Sequence, residues 1–157
     1  MKEKGASFPK SFVSSSTEDT IEFGKKFGFF INTLPTTKGA RIVSLCGDLG
    51  AGKTTLTKGV ALAFGIKKKI TSPTFVLMKR FPTKTHYSTL VHIDAYRLSS
   101  FKDLHSLEIE KILNDSHSII LIEWIKNISS KKIKPFCVVT LKHKKDRTRL
   151  ITTKIKK

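Results

Sequence analysis

The sequence predicts an α/β fold of three layers, with helices on both faces of a mixed β-sheet that has an antiparallel portion. Three observations lead to this prediction. Short apolar runs alternate with helical patterns along the 157-residue chain, two of these runs end directly in an acid, and the last two runs are joined by a short loop. The length suits a single domain, which we place at residues 11–157 behind a flexible leader at residues 1–10.

Residues 11–34 predict a short strand followed by a helix. Ser15 and Glu18 have capping-box spacing at the start of the helix, and Ser16 and Thr17 are alternative N-caps. Five apolar residues lie roughly on one helical face, which we expect to be buried. They are Ile21, Phe27, Phe30, Ile31 and Leu34.

The remaining elements follow in order. Residues 40–46 are a short β-branched run that indicates a buried strand, and residues 52–65 indicate a helix that ends at Gly65. Later runs predict a hairpin of two strands, one or two short helices, a buried strand and a closing antiparallel pair. These runs lie at residues 74–81 with 88–96, 99–115, 118–124, and 135–143 with 149–155.

The stretch GDLGAGKTT contains the spacing Gly47-x4-Gly52-Lys53-Thr54, which fits the P-loop pattern G-x-x-x-x-G-K-[ST]. The glycines allow backbone N–H groups to turn toward a phosphate, and the helix that follows adds its positive end. Lys53 is expected to bridge the β- and γ-phosphates, and the Thr54 hydroxyl to coordinate Mg²⁺. Because the motif stands between a predicted strand and a predicted helix, the sequence predicts a P-loop NTPase-like fold.

A Mg-nucleotide site also needs an acid at the end of a neighbouring strand, to hold the water shell of the metal or to orient the attacking water. Asp94 follows the run LVHI, and Glu123 follows IILI. An acid behind four apolar residues is costly unless it faces a cation or donors. The alternative for each is a surface acid, or one paired with an arginine such as Arg97. His92 would share a strand face with Asp94, either as support for the site or as a structural histidine.

Two absences narrow the class of nucleotide-binding protein. Guanine-specific P-loop proteins carry an N/T-K-x-D signature, and the nearest stretch, HKKD before Arg147, does not match it. Small-molecule kinases on this fold use further glycine-rich elements and an arginine-rich lid, whereas all nine glycines lie at or before Gly65. The sequence therefore favours an ATPase over a GTPase switch, and a small-molecule kinase is the less favoured alternative.

Charge is the most unusual bulk feature, since 30 Lys and Arg residues against 12 Asp and Glu residues give a net charge of +18. Residues 131–157 carry eleven of the basic residues and one acid, Asp146. Such a surface attracts nucleic acid through counterion release. A lysine-rich solvated surface explains the same excess, and the sequence leaves both explanations open. A second function class is therefore a basic nucleic-acid-binding protein whose P-loop senses a nucleotide.

The cysteines and the apolar runs indicate a cytoplasmic protein without a membrane partner. Cys46 and Cys137 are far apart and have no metal-ligand spacing, so neither a disulfide nor a zinc site is expected. No apolar run approaches the roughly 18 residues of a membrane span. The N-terminus has no secretory signal pattern.

Four separated segments resemble the bacterial TsaE family, also called YjeE-type. They are GDLGAGKTT at 47–55, SPTF at 72–75, HIDAYRL at 92–98 and IEW at 122–124. Their order and spacing match that family, and the four together are highly specific. The resemblance implies a P-loop ATPase domain that binds ATP and Mg²⁺, hydrolyses ATP weakly alone, and associates with a heterodimer of TsaB and TsaD. That complex transfers a threonylcarbamoyl group to the adenosine next to the anticodon of tRNA, which this chain would contact indirectly or through its basic surface.

The resemblance also implies roles for individual residues. Asp94 and Glu123 match two functional acids of the family, which act with Lys53 and Thr54, and Thr54 with Glu123 would hold the metal. A position near Thr17 and a C-terminal arginine would flank the nucleotide; the arginine is Arg149, with Arg147 as the alternative. The loop residues that would contact the nucleotide are Leu49, Gly50, Ala51, Gly52, Lys53, Thr54 and Thr55. The chain departs from the family pattern in its basic excess and in the segments VLMKRF and LHSLEIE.

Overall fold

A computed structural model describes residues 7–128 and 130–156. It has seven strands, three α-helices and two short 3₁₀ helices in this part of the chain. In chain order these are β1 (Ser11–Ser14), α1 (Thr17–Thr33), β2 (Arg41–Cys46), α2 (Lys53–Ala63), β3 (Met78–Pro82), β4 (Thr89–Asp94), a 3₁₀ helix (Phe101–Leu107), α3 (Ile109–Leu113), β5 (Ser118–Glu123), a 3₁₀ helix (Ile125–Ile128), β6 (Cys137–His143) and β7 (Arg149–Ile155).

The seven strands form one mixed sheet in the order β1-β7-β6-β2-β5-β4-β3. Strand β2 is parallel to both β5 and β6, and β5 is parallel to β4. The other three pairs are antiparallel, namely β3 with β4, β6 with β7, and β1 with β7. A parallel centre therefore lies between antiparallel edges, which confirms the predicted mixed sheet, the hairpin and the closing pair.

Helices cover both faces of the sheet, which confirms the predicted three layers. Helices α1 and α2 lie on one face, where Phe27, Leu56 and Leu121 belong to one buried cluster. The first 3₁₀ helix and α3 lie on the other face, where Leu104 and Ile120 belong to a second cluster. Burying apolar surface on both sides is what the continuous apolar runs of the central strands require.

The face through which α1 packs differs from the predicted one. Phe27 and Ile31 are buried as expected, whereas Ile21, Phe30 and Leu34 are only half-buried. Glycine residues form part of the surface through which α1 and α2 pack. A Cβ added to Gly59 of α2 would lie only 2.0 Å from the carbonyl oxygen of Ile21 in α1. The two helices therefore approach through their backbones. Hydrophobic periodicity does not register such contacts, since glycine is not counted as apolar.

The start of α1 resolves the choice between three possible N-caps. Ser16 is the N-cap, and its hydroxyl accepts a hydrogen bond of 3.0 Å from the backbone N–H of Asp19. The carboxylate of Asp19 in turn accepts from the N–H of Ser15 at 2.8 Å. Thr17 is the first helical residue, and Glu18 does not take the capping position.

The first strand of the hairpin begins later than predicted. The predicted strand at residues 74–81 includes a turn at residues 74–77, and β3 begins at Met78. Leu77 ends the turn with φ of 64°, and its N–H donates to the carbonyl of Pro73. Phe75 is 84% exposed at the tip of this turn. Side-chain hydrogen bonds that the run does not reveal hold the turn, as described below.

Of the leader predicted at residues 1–10, residues 1–6 lie outside the described part of the chain. Phe8 and Lys10 contact the rest of the domain. The ring of Phe8 lies 5.4 Å from that of Phe23 between centroids, and the carbonyl of Lys10 accepts from the N–H of Thr153 at 2.9 Å. Contacts with the domain therefore extend to residue 8.

Among the described residues, no helix has both the length and the apolar character that crossing a membrane requires.

Candidate functional site

The loop between β2 and α2 depends on glycines with positive φ. Gly47, Gly50 and Gly52 have φ of 147°, 76° and 105°, values that favour glycine strongly. A Cβ on Gly47 would also lie 2.6 Å from the carbonyl oxygen of Leu141. Gly52 is the N-cap of α2, so the free N–H groups of the first helical turn end at this loop. This is the backbone arrangement that binds phosphate groups.

Lys53, the first residue of α2, is 5% exposed and lies against the loop. Its ammonium Nζ donates to the carbonyl oxygens of Gly47 at 2.8 Å and Asp48 at 2.9 Å. Nζ is also 5.0 Å from the centre of the Trp124 ring and 3.8 Å from Oε2 of Glu123. The positive charge is therefore held between the loop and the end of β5.

Asp94 and Glu123 end two adjacent parallel strands and lie opposite each other in the sheet. Both are 4% exposed. Two buried carboxylates on neighbouring strands repel each other, so each needs its own hydrogen-bond donor or cation. Asp94 has three: its Oδ2 accepts from the hydroxyls of Thr74 at 2.7 Å and Ser72 at 3.3 Å, and its Oδ1 accepts from the N–H of Tyr96 at 2.9 Å.

Glu123 has partners of a different kind. Its Oε1 lies 2.9 Å from Nε2 of His92, and its Oε2 lies 3.8 Å from the Lys53 ammonium. His92 is fully buried on β4. One carboxylate oxygen is thus bound to an imidazole while the other points to the cation of the loop.

Lys53, Asp94 and Glu123 line a common cleft of about 290 Å³. The lining of the cleft combines loop residues, hydroxyls and both acids: Leu49, Gly50, Gly52, Lys53, Thr54, Thr55, Ser72, Thr74, Asp94, Glu123 and Trp124. Ala51 is a residue of the loop but is buried, with 1% of its surface exposed. The structure therefore brings Lys53, Thr54, Asp94 and Glu123 together. A cation, a helix N-terminus, a hydroxyl and two carboxylates suit a phosphate ligand with a divalent cation.

Arg149 lies on the other side of the loop. It begins β7, and its Cδ and Nε are 3.5 Å from the position that a Cβ on Gly52 would take. Its Nε is buried and has no hydrogen-bond partner among the described residues, so a donor beside the glycine loop is left for a ligand. Ser14 pairs with Arg149 in the sheet, which brings the start of α1 at Thr17 to the same end. Arg147 is exposed in the turn before β7.

Three residues of the cleft have roles that the sequence reasoning did not assign. Ser72 and Thr74 lie in the quoted segment SPTF, but only the fold shows that their hydroxyls reach Asp94. Trp124 lies in the quoted segment IEW; its ring lies against the Lys53 ammonium, and its φ is 57°. In the sequence, the signal for this role of Trp124 is its position directly after Glu123.

The family model described as "Threonylcarbamoyl adenosine biosynthesis protein TsaE" matches residues 14–151. The chain belongs to the TsaE family. The match runs from the end of β1 into β7, so it includes the glycine loop, both acids and Arg149.

Three relatives carry the name "tRNA threonylcarbamoyladenosine biosynthesis protein TsaE". The Treponema pallidum protein is 33% identical over 140 residues, which are 89% of this TsaE-family chain and 96% of the relative. The Rickettsia bellii protein is 37% identical over 139 residues, 88% and 90% of the two chains. The Streptomyces coelicolor protein is 45% identical over 84 residues; the match spans 53% of this chain and only 55% of that protein.

A solved structure described as "Crystal structure of Bacillus subtilus YdiB" has a similar fold. Its TM-score is 0.67 at 24% identity, and the match covers 93% of this chain and 85% of the other. The likeness concerns the fold alone. Together with the sheet order and the glycine loop, it confirms the predicted α/β, P-loop NTPase-like fold of this TsaE-family chain.

Proposed function

We propose that this TsaE-family protein binds Mg-ATP in the cleft and hydrolyses it in support of the threonylcarbamoyl-transfer complex that modifies the adenosine next to the tRNA anticodon. The observation that carries the proposal is that Lys53, Asp94 and Glu123 line one cleft at the glycine loop, with the Lys53 ammonium 3.8 Å from the Glu123 carboxylate. The family match relates the chain to threonylcarbamoyladenosine biosynthesis. We place the protein in the cytoplasm, where tRNA is modified.

Each residue of the cleft has a defined task in this proposal. The loop N–H groups and Lys53 hold the β- and γ-phosphates, and Arg149 donates to the nucleotide from the far side of Gly52. Thr54 and Glu123 hold Mg²⁺, which when bound neutralises charge on the phosphates. Asp94 keeps the Ser72 and Thr74 hydroxyls at the edge of the cleft. The buried donor of Arg149 and the glycine cradle support the fit of this ligand.

Exposed apolar side chains around the cleft support a dependence on partner proteins. Leu49 is 67% exposed on the loop and Phe75 is 84% exposed on the turn after Thr74, and Val76 and Tyr96 are exposed as well. Large apolar groups that remain in water next to a site indicate a protein-binding surface. We propose that a TsaB–TsaD heterodimer covers this rim and stimulates an ATPase that is weak alone.

The test is ATP turnover measured with and without a TsaB–TsaD pair. The pair is expected to stimulate hydrolysis by the wild-type protein. Lys53→Ala should abolish nucleotide binding, because it removes the cation of the loop. Glu123→Ala should reduce turnover far more than binding, because this acid handles the metal and water. Absence of stimulation by any such pair would refute the partner assignment, and unchanged hydrolysis in both Glu123→Ala and Asp94→Ala would refute the role of the acids.

A second candidate function is direct binding of tRNA, with the P-loop as a nucleotide sensor. A groove of about 450 Å³ on the other side of Trp124 is lined in part by Lys126, Lys142 and His143. Its basic side chains and the net charge of +18 favour a phosphate backbone as ligand. Binding of tRNA that weakens steeply with salt, together with no ATP turnover, would favour this function over the first. An acceptor screen with labelled ATP tests the kinase alternative.

A further inference from the structure

His92 is a polar residue in a place built for apolar ones. It is 0% exposed, in the middle of a strand whose residues from Leu90 to Asp94 are all buried. Its neighbours on the two sides in sequence, Val91 and Ile93, belong to the second apolar cluster. A buried imidazole costs free energy unless its nitrogens find partners, so a specific contact must account for its presence here.

That contact is Glu123. The Nε2 atom of His92 lies 2.9 Å from Oε1 of Glu123, and a carboxylate only accepts, so the ring donates. The other ring nitrogen, Nδ1, is buried without a hydrogen-bond partner in the part of the chain that the structure describes. A histidine that served only to join strands would be expected to use both nitrogens. Among the described residues, the only hydrogen bond of the ring is therefore the one to Oε1 of Glu123.

The hydrogen bond decides where the second oxygen of Glu123 lies. With Oε1 bound by His92, Oε2 is 3.8 Å from the Lys53 ammonium, too far for a direct hydrogen bond. Lys53 instead donates to the carbonyls of Gly47 and Asp48. Without the imidazole, nothing in these contacts would prevent the carboxylate from turning toward the ammonium to form a closed ion pair. Both charges would then be withdrawn from the cleft.

We propose that His92 is a positioning residue: by donating from Nε2 to Oε1 of Glu123, it holds Oε2 free and facing the cleft. The inference rests on the proposed function, in which Glu123 holds Mg²⁺ and its water. It predicts that loss of this hydrogen bond lowers the rate of hydrolysis and the contribution of Mg²⁺ to nucleotide binding. Metal-free nucleotide binding and folding change little.

Two amide substitutions make a matched pair. In His92→Gln the side-chain nitrogen reaches about as far as Nε2 and keeps a donor for Glu123, whereas in His92→Asn the amide is too short. Both are neutral and polar, so they share any general effect on the buried site. We measure kcat and KM for ATP with the partner pair, the Kd for ADP with and without Mg²⁺, and the thermal midpoint Tm.

His92→Asn is expected to lower kcat about tenfold or more and to reduce the gain in ADP affinity from Mg²⁺ by a similar factor, about that of other partners of metal-holding groups. KM for Mg-ATP should rise by no more than that factor. His92→Gln should retain most of both quantities. Equal losses in the two variants, or a fall in Tm that accounts for them, would assign His92 a structural role. Wild-type values in His92→Asn would also overturn the proposal. If the wild-type protein shows no ATP turnover, that result counts against the proposed function only. The effect of Mg²⁺ on ADP binding still measures the role of His92, because it does not depend on turnover.

Discussion

Removing the carboxylate of Asp94 tests whether this acid has a structural role, a chemical role or both. The side chain is 4% exposed and accepts three hydrogen bonds. Two come from the hydroxyls of Thr74 and Ser72, and one comes from the N–H of Tyr96. The substitution Asp94→Ala therefore frees the turn that precedes β3 and leaves a backbone donor without its acceptor.

The expected loss of stability follows from these contacts. Hydrogen bonds to a charged group contribute about 1.5–3 kcal/mol each. Two of the three donors are hydroxyls that line the open cleft and regain water, so the Tyr96 N–H accounts for most of the loss. Removing Asp94 also relieves its repulsion with Glu123 on the adjacent strand, which acts in the opposite direction. The net loss is about 2 kcal/mol, which for a domain of this size lowers Tm by roughly 4–8 °C.

The assay is thermal unfolding followed by circular dichroism, with ATP turnover measured on the same samples. Asp94→Asn is the matched control, because its amide oxygen still accepts from Tyr96 while the charge is lost. It should retain most of the stability and still lose turnover. An Asp94→Ala variant that unfolds within about 1 °C of the wild-type protein would refute the structural estimate. An Asp94→Asn variant with wild-type turnover would refute the need for a charge.

Three further changes test other parts of the structure. Arg149→Ala should weaken nucleotide binding about tenfold or more, because its buried Nε faces the loop, whereas Arg147→Ala, in an exposed turn, should stay within about twofold in the same titration. Gly59→Ala should destabilise the fold by about 3 kcal/mol, since its Cβ would meet the Ile21 carbonyl at 2.0 Å; an unchanged urea midpoint would contradict this packing. Burial raises the pKa of the Cys137 thiol to about 12. At pH 8 only about one part in ten thousand is thiolate, so iodoacetamide should modify Cys137 after unfolding in urea but not before, as mass spectrometry would show.

The sequence predicted the layers, the mixed sheet and the hairpins because these depend on local patterns. Residues 119–122 are apolar throughout, and only a strand covered on both faces buries all of them. The glycine loop could be predicted for the same reason, since Gly47 and Gly52 can adopt the positive φ that such a loop requires. The patterns failed where a residue's role depends on a distant contact, as in the turn at residues 74–77 and in the buried face of α1.

By itself, the sequence determined the glycine loop and the two acids at strand ends, because strand, loop and helix are adjacent in the chain and an acid that ends an apolar strand has few acceptable environments. Only the tertiary structure placed Arg149 beside Gly52, since the pairing of β7 with β1 and β6 sets which arginine returns to the loop. Only the tertiary structure joined His92 to Glu123, because their 2.9 Å contact lies between adjacent strands and links residues 31 positions apart in the sequence. Composition and spacing describe neighbours along the chain, whereas strand order and register decide which side chains meet.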